Sequence, residues 1–190
     1  MTAASAAPHR VAIHVCGSVA AYRACDVITS LRKQDCEVRV AMTRSARHFI
    51  TETTLQSLSG HPVACSVWQA TSGGHGMGHI DLAGWAEVHT VVAGSANLIA
   101  RLAHGFADDA VTTALLASRT PLIIAPAMES AMWEHLATRA NVETLRSRGV
   151  TFVGPVRGRL ASGAEGEGRM ADVDQVVAAI RAALAMPRPE

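Results

Sequence analysis

Apolar positions along the chain take two alternating forms: short unbroken runs, and longer stretches with helical spacing. Residues 11–16 form an apolar run that ends at Gly17-Ser18, and a helical stretch follows over 19–33. Residues 36–42 alternate and are β-rich, which predicts a second strand. Residues 47–58 read as a helix closed by Gly60, and 62–68 as a short extra strand. Residues 72–78 carry glycine at four of seven positions, too many for cheap regular structure, and are a predicted loop. A third core strand over 88–93 precedes a helix over 95–103 and another that Asp108-Asp109 cap and that runs through Ser118. Then come a fourth strand (121–125), one long helix (130–148), a fifth strand (150–153), an exposed Gly/Arg/Ser-rich flap and a final amphipathic helix (173–185).

Strands and helices thus alternate almost throughout. That order predicts an α/β fold with a mostly parallel sheet covered on both faces. Ligands of such sheets bind in the crevice beyond the carboxyl ends of the strands. The expected organisation is a disordered lead-in over 1–10, then one domain over 11–186 with a flap at about 154–170.

Composition narrows the function. A hydrophobic fraction of 49% against 17% charged residues supplies a buried core and excludes a disordered chain. The net charge of +1 contains no basic block, so no nucleic-acid partner is expected. No apolar run is long enough for a membrane helix, and the start of the chain lacks the pattern of a secretory signal, so the expectation is a cytoplasmic protein with no membrane partner. Cys16, Cys25, Cys36 and Cys65 form no CxxC pair and read as small buried residues. His75 and His79 are four apart, but Gly76 and Gly78 oppose a rigid helix between them, so no metal is expected.

Candidate chemistry gathers after the strands. Gly17, Ser18 and Val19 follow strand one, where a glycine lets backbone N–H groups approach a phosphate at a helix N-terminus. A tight turn needs that glycine in any case, and the GxGxxG of an ordinary dinucleotide site is missing. Thr43 and Ser45 follow strand two, and Ser95, Ala96, Asn97 and Leu98 follow strand three. Their hydroxyls fit either helix capping or contacts to a phosphate or polyol, and both readings stand. Met128, Glu129, Met132 and Trp133 follow strand four. His79, after the glycine loop, is the histidine best suited to proton transfer.

Together these segments resemble the homo-oligomeric flavin-containing cysteine decarboxylases, a family that includes phosphopantothenoylcysteine decarboxylase and the peptidyl-cysteine decarboxylases of lantibiotic-type peptide biosynthesis. The resemblance covers residues 11–170. Gly17 to Arg23 looks like the first phosphate-binding turn, and Ser95-Ala96-Asn97 keeps the centre of a PASANT segment. Pro126-Ala127-Met128 with Met132-Trp133 looks like the PxMNxxMW substrate segment, and Leu160 to Gly163 with Gly166, Gly168, Arg169 and Met170 looks like the substrate flap. The resemblance implies a Rossmann-like, flavodoxin-like three-layer sandwich that binds FMN. It implies cofactor contacts from Gly17, Ser18, Val19, Thr43, Ser45, Ser95, Ala96, Asn97, Leu98 and Met128. Substrate contacts would come from Glu129, Met132, Trp133 and Ser162, and proton transfer from His79. It also implies a homo-oligomer built on trimers, up to a dodecamer.

Ala93, Gly94 and Leu98 depart from the PASANT segment, and two further departures bear on the chemistry. The PxMNxxMW asparagine, which the resemblance implies holds the substrate carboxylate, is Glu129, and the flap cysteine of the pantothenate-pathway enzymes is Ser162. Cysteine has no electron sink for losing CO₂. Hydride loss from the carbon bearing sulfur gives a thioaldehyde β to the carboxylate, from which CO₂ leaves. Ser162 supplies no redox-active thiolate to reduce the resulting enethiol. With no synthetase domain in the sequence, these features favour a precursor peptide with a C-terminal cysteine as substrate, over phosphopantothenoylcysteine or another small cysteine-containing substrate. A third reading is a non-catalytic FMN-binding regulatory subunit.

Overall fold

The structure is a computed structural model and describes residues 7–68 and 78–186. In chain order the elements are β1 (His9–Val15), α1 (Arg23–Arg32), β2 (Cys36–Met42), α2 (Glu52–Ser59), α3 (Gly78–Trp85), β3 (Val88–Gly94), α4 (Ala96–Ala103), α5 (Ala110–Ala117), β4 (Leu122–Pro126), α6 (Ser130–Glu134), α7 (Leu136–Ser147), β5 (Thr151–Phe152), β6 (Val156–Arg159), β7 (Glu165–Arg169) and α8 (Val173–Leu184).

Five strands form one parallel sheet in the order β2-β1-β3-β4-β5. One face packs under α1, α2 and α8 through Val27, Ile28, Leu31, Leu55 and Ile180. The other lies under α3, α4, α5 and α7 through Leu82, Ile99, Val111 and Val142. This is the expected three-layer α/β sandwich. Every residue of β3 is buried, as befits a strand covered on both faces.

Local chemistry corrects several sequence expectations. His9 and Arg10 belong to β1, paired with Cys36 and Glu37, so the lead-in is shorter than 1–10; residues 1–6 lie outside the described residues. The helix expected over 47–58 starts at Glu52, because the Thr51 hydroxyl accepts from the Thr54 N–H and caps it there. A short 3₁₀ turn, Arg44–His48, precedes it. The extra strand over 62–68 reduces to one bridge between Ala64 and Ala41, since Pro62 has no N–H to extend a ladder. The long helix over 130–148 is two helices: His135 is extended (ψ 134°) and its Nδ1 accepts from the Ala137 N–H, starting α7 anew. Within the expected flap, β6 and β7 pair as an antiparallel hairpin. The glycine-rich loop falls outside the described residues up to Gly78, where α3 begins.

Candidate active site

The loops that leave β1, β3 and β4 meet the β6–β7 hairpin at the carboxyl edge of the sheet, where they enclose a cavity of about 560 Å³. Gly17, Ser18 and Val19 form one wall, Ser95 and Ala96 a second, Met128, Glu129 and Met132 a third. Arg159, Leu160 and Ala161 close it from the hairpin.

The first wall is shaped by close approach. A Cβ on Gly17 would lie 2.6 Å from the Ser45 Cβ, so only glycine lets the turn after β1 pack onto the turn after β2. The Ser18 hydroxyl donates to the Ala127 carbonyl (3.2 Å) and accepts from the Ala20 N–H (3.4 Å), which ties the turns after β1 and β4 together. Ser95 caps α4 by accepting from the Leu98 N–H (3.2 Å). Beneath it the Ser95 N–H donates to Cys16 Sγ, and that thiol donates to the Ala93 carbonyl (2.8 Å). Burial pushes the Cys16 thiol up from its ordinary value, so it remains neutral.

The wall after β4 carries the two departures from the family pattern, and they touch. Ser162 donates its Oγ–H to Glu129 Oε2 (3.0 Å) and its N–H to Glu129 Oε1 (3.3 Å). The acid at 129 stands at the N-cap of α6, yet it makes no cap bond and reaches across the cavity mouth to the hairpin tip. The hairpin base is held independently. The Met128 N–H donates to the Gly168 carbonyl (3.0 Å), Gly168 leaves no room for a Cβ beside the Met128 carbonyl, and the Trp133 Nε1–H donates to Glu167 Oε1 (3.3 Å).

Among the described residues, three guanidinium groups border the cavity. Arg23 lies 5.7 Å from the Tyr22 ring centroid, and Arg169 pairs with Asp172 (3.2 Å). The Arg159 side chain makes no hydrogen bond or ion pair among the described residues.

Of the residues singled out in the sequence, Gly17, Ser18, Val19, Ser95, Ala96, Met128, Glu129 and Met132 line the cavity, and Ser162 is joined to it through Glu129. Thr43, Ser45, Asn97, Leu98 and Trp133 stand apart, and the His79 side chain lies outside the described residues. Thr43 caps the 3₁₀ turn by accepting from the Ala46 N–H, Ser45 buttresses Gly17, Asn97 is exposed, and Leu98 is in the core. Trp133 is buried behind the wall, holding β7. His79 falls in the first turn of α3. The sequence reading missed Phe49 and Arg159 as lining residues. Phe49 follows a turn and Arg159 ends a short hairpin strand, so neither sits in a periodic pattern that marks one face.

The family model described as Flavoprotein matches residues 2–185. The coenzyme A biosynthesis bifunctional protein CoaBC of Vibrio vulnificus is 39% identical over 169 residues, which cover 89% of this chain and 42% of that protein. The chain thus spans about two fifths of the length of the curated relatives it matches. Among solved structures, SpaF, an FMN-dependent cysteine decarboxylase, aligns with TM-score 0.80 and 34% identity, covering 94% of this chain and 96% of its own. A PPC decarboxylase mutant complexed with pantothenoylaminoethenethiol aligns with TM-score 0.80 and 30% identity, covering 92% and 97%.

Proposed function

The chain belongs to the flavoprotein family, and from that premise we propose that it is an FMN-dependent decarboxylase acting on the terminal cysteine of its substrate. The observation that carries this reading is the single cavity shared by the Gly17 turn, the Ser95 turn, the Met128–Met132 segment and the hairpin.

The residues present fit FMN. The close approach that only Gly17 allows, with the Ser18 and Ser95 hydroxyls, offers small polar turns for a phosphate and a polyol. Val19, Met128, Met132 and Leu160 supply apolar surface for a planar ring. When bound, FMN supplies the acceptor for two electrons. The chain's own groups do the rest. The hairpin tip, tied to Glu129, screens the substrate from water, and His79 is the proposed proton-transfer group. Oxidation at the carbon bearing sulfur yields a thioaldehyde, CO₂ leaves, and an enethiol remains. The two electrons would leave to an external acceptor, because no cysteine among the described residues lines the cavity to return them.

The favoured substrate is a peptide ending in cysteine, because the hairpin presents Ser162 and no thiol. Among the described residues no cysteine lines the cavity. A second reading, a small pantothenate-type cysteine adduct, draws on the 39% identity to the bifunctional coenzyme A protein. Mass spectrometry of both substrates after incubation with the FMN-loaded protein separates them. Loss of about 46 Da (CO₂ plus two hydrogens) from the peptide alone supports the first reading. Loss of CO₂ from the small adduct alone, as about 44 Da or about 46 Da, supports the second, and loss from neither rejects both.

The active form is a cytoplasmic homo-oligomer built on trimers. Val19 and Tyr22 border the cavity yet are 57% and 54% exposed, an apolar rim that a neighbouring subunit would cover. Light scattering that finds a flavin-loaded monomer rules this assembly out.

A further inference from the structure

We propose that Arg159, on the hairpin, receives the carboxylate of the substrate, a task that position 129 of this chain is not free to perform. The inference rests on the decarboxylase reading above and adds the residue that selects an anionic substrate end.

Position 129 is closed to a carboxylate for two reasons. Its side chain is itself an acid, and like charges at short range disfavour one another. Both of its oxygens already accept from Ser162, one from the hydroxyl and one from the N–H. The contact serves the hairpin: Leu160 and Ala164 close the tip (2.8 Å), Gly163 turns it at φ +89°, and Ser162 stands between them. Glu129 therefore fixes the tip while projecting negative charge at the cavity mouth.

An anionic substrate end needs a cation nearby. Of the three guanidinium groups on the cavity wall, Arg169 is paired with Asp172 and Arg23 stacks on Tyr22. Arg159 is the last residue of β6, one residue before the cavity-lining Leu160 and Ala161. Glu165 faces it in the hairpin register and makes no ion pair with it. Its planar fork suits a carboxylate. Because Arg159 is exposed, the pair orients the substrate without holding its carboxylate so tightly that CO₂ loss is opposed.

The test is calorimetric titration of the FMN-loaded protein with an N-acetylated tripeptide ending in serine, as free acid and as amide. Serine matches cysteine in shape and carries no oxidisable thiol, so binding is read without turnover. The wild type is expected to bind the acid about tenfold more tightly than the amide, an effect of the size of one charge-assisted contact. Arg159→Gln should abolish that preference while leaving amide affinity unchanged, and Arg159→Lys should keep part of it. Glu129→Gln should widen the preference, because it removes the opposing charge. An unchanged acid-to-amide ratio in Arg159→Gln overturns the proposal, as does a wild type with no preference. If the wild type retains FMN and turns over the cysteine peptide while the ratio survives in Arg159→Gln, only the role of Arg159 falls. If it retains no FMN and binds neither probe, the decarboxylase reading falls with it.

Discussion

His14 on β1 and His89 on β3 share a hydrogen bond of 2.8 Å inside the core, Nε2 to Nδ1, with both side chains fully buried and their rings stacked. The bond needs one ring to donate and the other to accept, so the pair is neutral. Burial lowers both from the ordinary histidine value, His14 further through the charge of His89, and His89 to about 4. A base whose folded pKa is depressed binds fewer protons folded than unfolded. Stability is therefore full above about pH 6.5 and falls as the pH drops from there toward about pH 4. Between about pH 7.5 and pH 5, His89 alone should cost about 2 kcal/mol. Denaturant midpoints at the two pH values measure this. The double variant His14→Leu with His89→Leu should flatten the dependence, because removing both partners leaves no orphaned polar group. A pH-independent wild-type midpoint contradicts the account.

Gly17→Ala should weaken FMN binding at least tenfold and lower stability by about 1–3 kcal/mol, the usual cost of overpacking. The obstruction is a single atom, the Ser45 Cβ at 2.6 Å. Ser45→Gly in the same protein removes it and should restore most of the flavin affinity. Flavin fluorescence titration of the single and double variants decides the matter. A double variant as weak as the single one means that the turn needs the glycine for another reason.

The layers of this fold were legible in the sequence because unbroken apolar runs such as residues 88–93 mark buried parallel strands, and turns after them line the cavity. What escaped was decided by single hydrogen bonds. Thr51 and His135 cap helices that periodicity alone extends too far. The hydroxyl-bearing turns left capping and ligand contact open. The structure divides them: Thr43 caps outside the cavity, whereas Ser18 and Ser95 cap and also line it. Glu129 and Ser162 each stood out as a departure from a pattern. Their contact spans 33 positions and has no periodic signature.

His79→Asn should retain FMN and lose peptide decarboxylation by about a hundredfold or more, the usual contribution of a positioned acid or base. It stands in the first turn of α3, directly after the glycine-rich segment, and an imidazole is the side chain best suited to proton transfer near neutral pH. Visible absorbance reports the bound flavin, and mass spectrometry the product. Turnover at the wild-type rate removes His79 from the mechanism. Loss of folding, read by circular dichroism, assigns it a structural role.

Ser162→Cys alone should leave the enethiol as the main product, and the reason lies in its neighbour. A thiol at 162 would stand where the hydroxyl now meets Glu129, 3.0 Å from a carboxylate oxygen. That negative charge disfavours the thiolate, the only form of cysteine that does redox work. Pairing Ser162→Cys with Glu129→Asn removes the charge and restores at both positions the residues of the pantothenate-pathway pattern. The double variant should return the two electrons to the enethiol and release a saturated amine-thiol. Product masses separate the outcomes: a loss of about 46 Da for the wild type and the single variant, and about 44 Da (CO₂ alone) for the double variant. The enethiol also absorbs in the near ultraviolet, because sulfur and nitrogen conjugate across its double bond, and that band should vanish with the second substitution. A wild type that already loses about 44 Da without added reductant places the reducing group elsewhere and moves the small-substrate reading ahead of the peptide one.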